Sequence, residues 1–271
     1  MTIANKKIGL VLDGGGGKGA YHIGVFKALK ELDISKNINA VSGTSVGALN
    51  ACLFPIYNIN SKITENIWLN ETEDKIFTFF QINKKIIGNA VNMIFSDFLD
   101  YNFLLRFGVF SRDGLIEIMD KYLCEDIIKS INIYACCTDA DDFDAHYFKL
   151  NNYSFKTIKK ILLASSAIPV LFPPENIKGS LYIDGGIADN SPIKALKNEG
   201  CSDIIIVHLK QNSNIYKNKI YKGINIYELY PKKDLGDFFE GTLNFSKDFI
   251  KRIMHQGYTD TLNALKKYRI L

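Results

Sequence analysis

The stretch Ile34–Phe54, ISKNINAVSGTSVGALNACLF, holds a G-x-S-x-G pentapeptide, Gly43-Thr44-Ser45-Val46-Gly47. A short run with strand character, INAVSG, precedes the serine, and a run with helical spacing, VGALNACLFPI, follows it. Strand, tight turn and helix in that order form a nucleophile elbow, in which the serine takes strained torsions and its hydroxyl projects above the sheet. The flanking glycines then stand where side chains would collide with neighbouring backbone. Gly and Ser also make ordinary turns, so the pentapeptide alone leaves both readings open.

Upstream, KKIGLVL is a compact apolar run ending on a glycine cluster, as a buried parallel strand does. KGAYHIGVFKALKEL then carries Ala20, Ile23, Phe26 and Leu29 at helical spacing. Residues 1–55 therefore predict β–loop–α–β–turn–α, the beginning of a doubly wound sheet. Downstream, INIYACCTDADDFDAHYFKL predicts two strands around a polar turn, and SFKTIKKILLASSAIPVLFPP a helix that breaks at Pro169. LYIDGGIADNSPIKALKNEG predicts a strand, a Gly-Gly turn and a helix with Ser191 as N-cap and Pro192 in its first position. SDIIIVHLK reads as an apolar strand, and the tail as a long amphipathic helix with a break near Gly257. Residues 61–125 are mostly helical in period and rich in aromatics, namely Trp68 and the phenylalanines from Phe77 to Phe110. Core-facing helices bury such residues, and so does a cap that lines an apolar binding site. With Lys75, Lys84, Lys85 and Arg106 nearby, such a cap would also meet an anionic lipid surface.

Composition narrows the function classes. With 47% apolar and 23% charged residues and a net charge of +4, the chain reads as an ordinary globular protein. No basic run with interleaved aromatics points to nucleic acid. Five cysteines, an odd number without C-x-x-C spacing, argue against a disulfide framework or a zinc site. The N-terminus lacks a signal-peptide pattern, and no uncharged apolar run reaches the roughly 18 residues of a spanning helix. These features predict a cytoplasmic protein that meets a membrane only from its surface.

Two further constellations accompany the serine. LDGGGGKGAYHIGV fits G-x-G-x-x-G at Gly14, Gly16 and Gly19, which raises a dinucleotide site. The acidic residues that follow, Glu31 and Asp33, sit late in the predicted helix rather than at the end of a second strand. A P-loop fits less well, because Lys18 is followed by Gly19 and not by Ser or Thr. Common to these readings is a set of backbone amides at a helix N-terminus, which suits an anion. In an esterase the anion is the tetrahedral oxyanion, and amides such as those of Gly15 and Gly16 are its donors. The third constellation is Ile183-Asp184-Gly185-Gly186, an aspartate closing a strand at a tight turn. All three fall at the C-terminal ends of predicted strands, where open α/β sheets place their sites.

Taken together, DGGGGKGAYHIGV, GTSVG, ASSAIPVLFPP, YIDGGIADNSP and the tail GTLNFSKDFI…GYTDTL resemble the patatin-like phospholipase family, in that family's order and over nearly the whole chain. The resemblance implies a three-layer α/β/α sandwich with a mostly parallel central sheet, spanning residues 1–271 as one catalytic domain with 61–125 as a cap-like insertion. It implies Ser45 as nucleophile, Asp184 as its base, and an oxyanion hole from the Gly14, Gly15, Gly16 and Gly17 loop. Lys18, Gly19, Gly43, Gly47, Gly185 and Gly186 complete the motifs. The implied reaction is hydrolysis of lipid acyl esters, drawn from a membrane surface or lipid aggregate, without metal or cofactor. The acidic run DADDFDAHY lacks the sixth-position glycine of a calcium loop and reads as a hairpin turn. Alternatives from the residues alone are a Ser-His-Asp esterase, with His208 or His255 following the acid, and a non-catalytic nucleotide- or lipid-binding protein.

Overall fold

The computed structural model describes residues 7–77, 111–211, 221 and 223–267. Of the aromatic and basic set in 61–125, Trp68 and Lys75 fall within them. Phe79, Phe80, Lys84, Lys85, Phe95, Phe98, Phe103, Arg106, Phe107 and Phe110 lie outside the described residues, as does the side chain of Phe77.

The opening follows the predicted order. β1 (Ile8–Leu12) runs through the glycine loop into α1 (Ala20–Glu31), and β2 (Ile38–Thr44) runs through Ser45 into α2 (Val46–Ile59). Next come α3 (Ser61–Asn66), two π-helical stretches (Ile67–Glu71 and Glu73–Phe77), then α4 (Asp113–Tyr122) and α5 (Glu125–Ile128). The polar-turn hairpin is β3 (Asn132–Asp139) and β4 (Ala145–Lys149), followed by α6 (Phe155–Ser165), β5 (Glu175–Ile177) and β6 (Ser180–Asp184). The remainder is α7 (Ile193–Asn198), β7 (Asp203–Val207), β8 (Asn225–Leu229) and α8 (Lys247–Lys267).

Alternation along the strands builds three layers, since successive side chains point to opposite faces. Leu10 and Leu12 of β1, Val41 of β2 and Ile205 and Val207 of β7 join the large core with α1, α2, α6 and α8. Their neighbours Val11, Ala40, Ile204 and Ile206 point the other way, against Ile193 and Leu196 of α7. Each fully buried aliphatic or aromatic side chain contributes roughly 1.5–3 kcal/mol. The two faces thus hold the sheet between helices.

Three local expectations are corrected. α8 does not break at Gly257. A Cβ there would lie 2.1 Å from the Tyr21 carbonyl oxygen of α1, so the glycine serves a backbone-to-backbone helix crossing. α6 stops at Ser165, ahead of Pro169, where the Ser166 hydroxyl donates back to the Leu162 carbonyl (2.9 Å). Ser191 is not the N-cap of α7. Pro192 holds that place, because the Ser191 hydroxyl donates instead to the buried carboxylate of Asp13 (2.5 Å).

The sheet order is β5-β6-β3-β2-β1-β7-β8, with β4 added on β3. β1, β2, β3, β7 and β8 are parallel to one another, and β4 and β6 run antiparallel to β3. Register here sets up the site. Cys136 of β3 pairs with Thr44 and with Tyr147, and Cys137 pairs with Asp184 and with His146. A strand residue has two edges, and β4 occupies one of them at both positions. β2 and β6 therefore share the other edge end to end. β2 finishes at Thr44, β6 arrives from the opposite direction and finishes at Asp184, and the two strand ends meet at adjacent rungs. Asp184 thus comes from an antiparallel strand, not from the common row of parallel strand ends.

Candidate active site

Ser45 takes φ 55° and ψ −124° as the N-cap of α2, a conformation that L-residues hold only under constraint. The constraint is visible on both sides. A Cβ on Gly43 would lie 2.2 Å from the Gly47 carbonyl carbon, and one on Gly47 would lie 2.1 Å from the Leu12 carbonyl oxygen. Only hydrogens fit between the turn and β1. The Ser45 amide donates to Ser165 Oγ (2.9 Å), and Ser165 Oγ donates onward to the Cys136 carbonyl (2.6 Å), so the elbow is tied to β3 through one buried hydroxyl.

Asp184 is buried beside it. Its amide donates to the Ala167 carbonyl (2.9 Å), and its carbonyl accepts from Thr138 Oγ1 (2.8 Å). Its carboxylate accepts from the Gly186 amide (2.8 Å), and the Ser45 hydroxyl is near enough to favour its ionised form. Burial pushes this carboxyl up from 3.8 to about 6, with the Gly186 amide and the nearby Ser45 hydroxyl opposing the rise. Loss of hydration outweighs those donors, as expected for a carboxylate removed from water.

The glycine loop passes on the other side of the serine. A Cβ on Gly14 would stand 3.2 Å from the Ser45 Cβ. Gly16 (φ 57°) and Gly17 pass so close to residues 242–244 that a Cβ would meet the Thr242 and Asn244 carbonyl oxygens at 2.1 and 2.0 Å. Among the described residues no backbone carbonyl accepts the Gly15 or Gly16 amide, which leaves both as potential donors. Lys18 is buried, and desolvation together with the nearby Lys210 lowers its ammonium pKa. Gly19 carries its carbonyl to the Asn50 amide (2.9 Å). Gly185 sits where a Cβ would meet the Cys136 carbonyl at 2.3 Å.

From Ser45 and Gly16 a cavity of about 380 Å³ extends between α2, α4 and the π-helical stretches, its wall mostly apolar: Leu49, Leu53, Trp68, Ile118, Ile168 and Phe245 among others. Trp68 stacks on Phe245 (6.3 Å between centroids) and donates to Asn50 Oδ1 (3.1 Å), so this residue of the 61–125 segment both packs and lines the cavity.

His208 and His22 have partners of their own. His208 is buried with Nδ1 3.0 Å from Asp13 Oδ2 and Nε2 3.3 Å from Glu228 Oε1. His22 shares a hydrogen bond with Asn50 through Nδ1 (3.0 Å), and burial pushes its imidazole down to about 3. His255 is exposed on α8. Glu31 closes α1 and Asp33 follows it, so no acid ends β2 where a dinucleotide ribose would bind. The acidic run is a hairpin turn in which Asp139 and Asp142 accept from the amides of Asp141 and Asp144. Ser165, Asp13 and Asn50 were not singled out from sequence. Ser165 lies in the quoted ASSAIP stretch, and Asp13 heads the glycine loop, so both carried a positional signal but no recognisable chemistry.

A G-x-S-x-G elbow and a buried aspartate on one sheet layered between helices define a three-layer α/β sandwich. A family model for patatin-like phospholipase matches residues 10–197, and the chain belongs to the patatin-like phospholipase family. It is 30% identical over 211 residues to lysophospholipase NTE1 of Meyerozyma guilliermondii and 29% identical over 216 residues to lysophospholipase NTE1 of Candida albicans. These alignments cover 76% of this chain, which spans only 13% of the length of either relative. Among solved structures, VipD from Legionella pneumophila superposes over 97% of this chain and 67% of its own, with a TM-score of 0.53 at 19% identity, a likeness of fold.

Proposed function

We propose that the chain is a serine acyl hydrolase that cleaves acyl esters of phospholipids or lysophospholipids through a Ser45–Asp184 dyad and a glycine-loop oxyanion hole. The observation that carries this reading is the meeting of β2 and β6 on one edge of β3, which sets the strained Ser45 turn beside the buried Asp184. The Ser45 oxygen attacks the ester carbonyl while its proton moves to Asp184. A carboxyl near 6 is a more capable base at neutral pH than an ordinary aspartate. The tetrahedral oxyanion is stabilised by amides of the Gly14–Gly17 loop, preorganised because they carry no side chains and are wedged against residues 242–244. Asp184 returns the proton to the departing alcohol, and water then releases the acyl group by the same steps in reverse.

The apolar cavity accepts the acyl chain, and residues 61–125 form its cap, entered from a lipid surface or aggregate. No helix among the described residues is long and apolar enough to cross a membrane. A Ser-His-Asp relay fits less well, since both ring nitrogens of His208 face carboxylates and His255 is exposed. The test is hydrolysis of a panel of phospholipids and lysophospholipids by the purified chain and by Ser45→Ala. Fatty-acid release by the first alone supports the reading, and release by both, or by neither, overturns it.

A further inference from the structure

We infer that Asp13 and His208 are positioning residues that hold the glycine loop in register with Ser45, an inference that rests on the acyl-hydrolase reading above. Four consecutive glycines have little rigidity of their own and carry no side chains with which to anchor themselves. An oxyanion hole gains its effect from donors already in place. The register of Gly14–Gly17 must therefore be imposed from its ends. Residues 242–244 wedge the far end, against Gly16 and Gly17.

At the near end stands Asp13, buried and directly preceding Gly14. Its amide donates to the Val207 carbonyl (3.2 Å), which extends the β1–β7 ladder by one rung. Its carboxylate accepts from Ser191 Oγ (2.5 Å) and meets His208 Nδ1 (3.0 Å). Ser191 belongs to the loop that follows Asp184, where its neighbour Asn190 donates to the Gly14 carbonyl (3.4 Å). One carboxylate thus joins the glycine loop, the Asp184 loop and the end of β7.

His208 is the rigid member of this junction. Its amide donates to the Leu229 carbonyl (2.9 Å), its ring stacks on Tyr230 at 4.4 Å and 16°, and its Nε2 lies 3.3 Å from Glu228 Oε1, which also accepts from the Tyr230 hydroxyl (2.5 Å). The ring therefore has one orientation, and in it Nδ1 faces Asp13. A buried hydrogen-bonded network held this way fixes the geometry of its members. His208 is not among the residues that line the cavity, and it reaches the glycine loop through Asp13.

Two amide substitutions separate this role from mere packing. In His208→Asn the side-chain NH2 replaces Nδ1 and keeps the bond to Asp13. In His208→Gln it replaces Nε2 and keeps only the Glu228 side. His208→Asn retains kcat within about threefold, whereas His208→Gln loses roughly tenfold to a hundredfold in kcat with KM changed less than about twofold. Melting temperatures fall alike in both, because both lose the Tyr230 stack. Asp13→Ala, which removes the acceptor that both Ser191 and His208 meet, follows the Gln variant. The second readout is amide hydrogen exchange at Asp13 and Lys18, whose amides donate to the Val207 and Gly15 carbonyls at the two ends of the loop, accelerated in His208→Gln and Asp13→Ala and near wild type in His208→Asn. Equal behaviour of the two His208 variants, or a loss confined to KM, overturns the inference. Exchange is read without turnover, so a wild type that hydrolyses no ester removes the hydrolase reading separately from the loop-holding role.

Discussion

Replacing Asp184 by Asn separates the stability of the fold from its chemistry. Burial raises this carboxyl from 3.8 to about 6, so between those values the folded chain holds a proton that the unfolded chain has released. Stability falls with rising pH wherever the folded state binds more protons. The contribution is therefore most favourable below pH 3.8 and is lost as pH rises through about 6. At 1.36 kcal/mol per pH unit, the ionised carboxylate costs the fold about 3 kcal/mol at neutral pH. Asn keeps an acceptor for the Gly186 amide and an NH2 group for the Ser45 oxygen without the charge. The variant is then expected to be about 1–3 kcal/mol more stable than wild type at pH 8, or about 2–6 °C in melting temperature, and nearly equal to it at pH 4. Turnover is lost at both. In the wild type, kcat/KM falls below about pH 6 as the base is protonated. Thermal unfolding of both proteins between pH 4 and 8 measures the difference. A variant less stable than wild type throughout, or a gap that does not widen with pH, refutes the desolvation account of Asp184.

Three other outcomes follow from particular contacts. Gly257→Ala, which in an ordinary helix stabilises by about 1 kcal/mol, lowers the melting temperature here, because its methyl meets the Tyr21 carbonyl at 2.1 Å; an unchanged or raised value contradicts the close helix crossing. Leu49→Gln and Ile168→Gln, at half-buried positions on the cavity wall, reduce hydrolysis of long-chain esters far more than of short soluble ones, with little change in melting temperature; a parallel loss of both activities and of stability makes these positions core. A chelator leaves hydrolysis of a soluble ester unchanged, since among the described residues no group of three His, Cys, Asp or Glu side chains is placed to hold a metal; loss of activity reveals one that the dyad scheme omits.

Much of the fold was legible because its signals are local. The apolar runs of β1, β2 and β7 and the helical spacing of α1 and α2 reflect burial on a doubly covered sheet. The Ser45 elbow was legible because Gly43 and Gly47 are demanded by contacts within a few residues and by the neighbouring β1. What was misread depends on distant partners. Gly257 looks like a helix breaker until α1 is packed against it, and Ser191 looks like a helix cap until the carboxylate of Asp13 competes for its hydroxyl. That Asp184 ends an antiparallel strand beside the end of β2 follows from the β3 register, which no single segment encodes. The contacts of Ser165 with Ser45 and of His208 with Asp13 were not legible, because each is a hydrogen bond between elements far apart in the chain.

The central claim is that Ser45 is the nucleophile and that Asp184 and the glycine loop activate it. The most direct measurement is labelling with a fluorophosphonate, followed by intact mass and peptide mapping in wild type, Ser45→Ala and Asp184→Asn. The account predicts one phosphonyl adduct per chain, mapped to Ser45, absent from Ser45→Ala and formed far more slowly in Asp184→Asn. An adduct on another residue, or labelling of Ser45 at an undiminished rate without the Asp184 carboxylate, would contradict it.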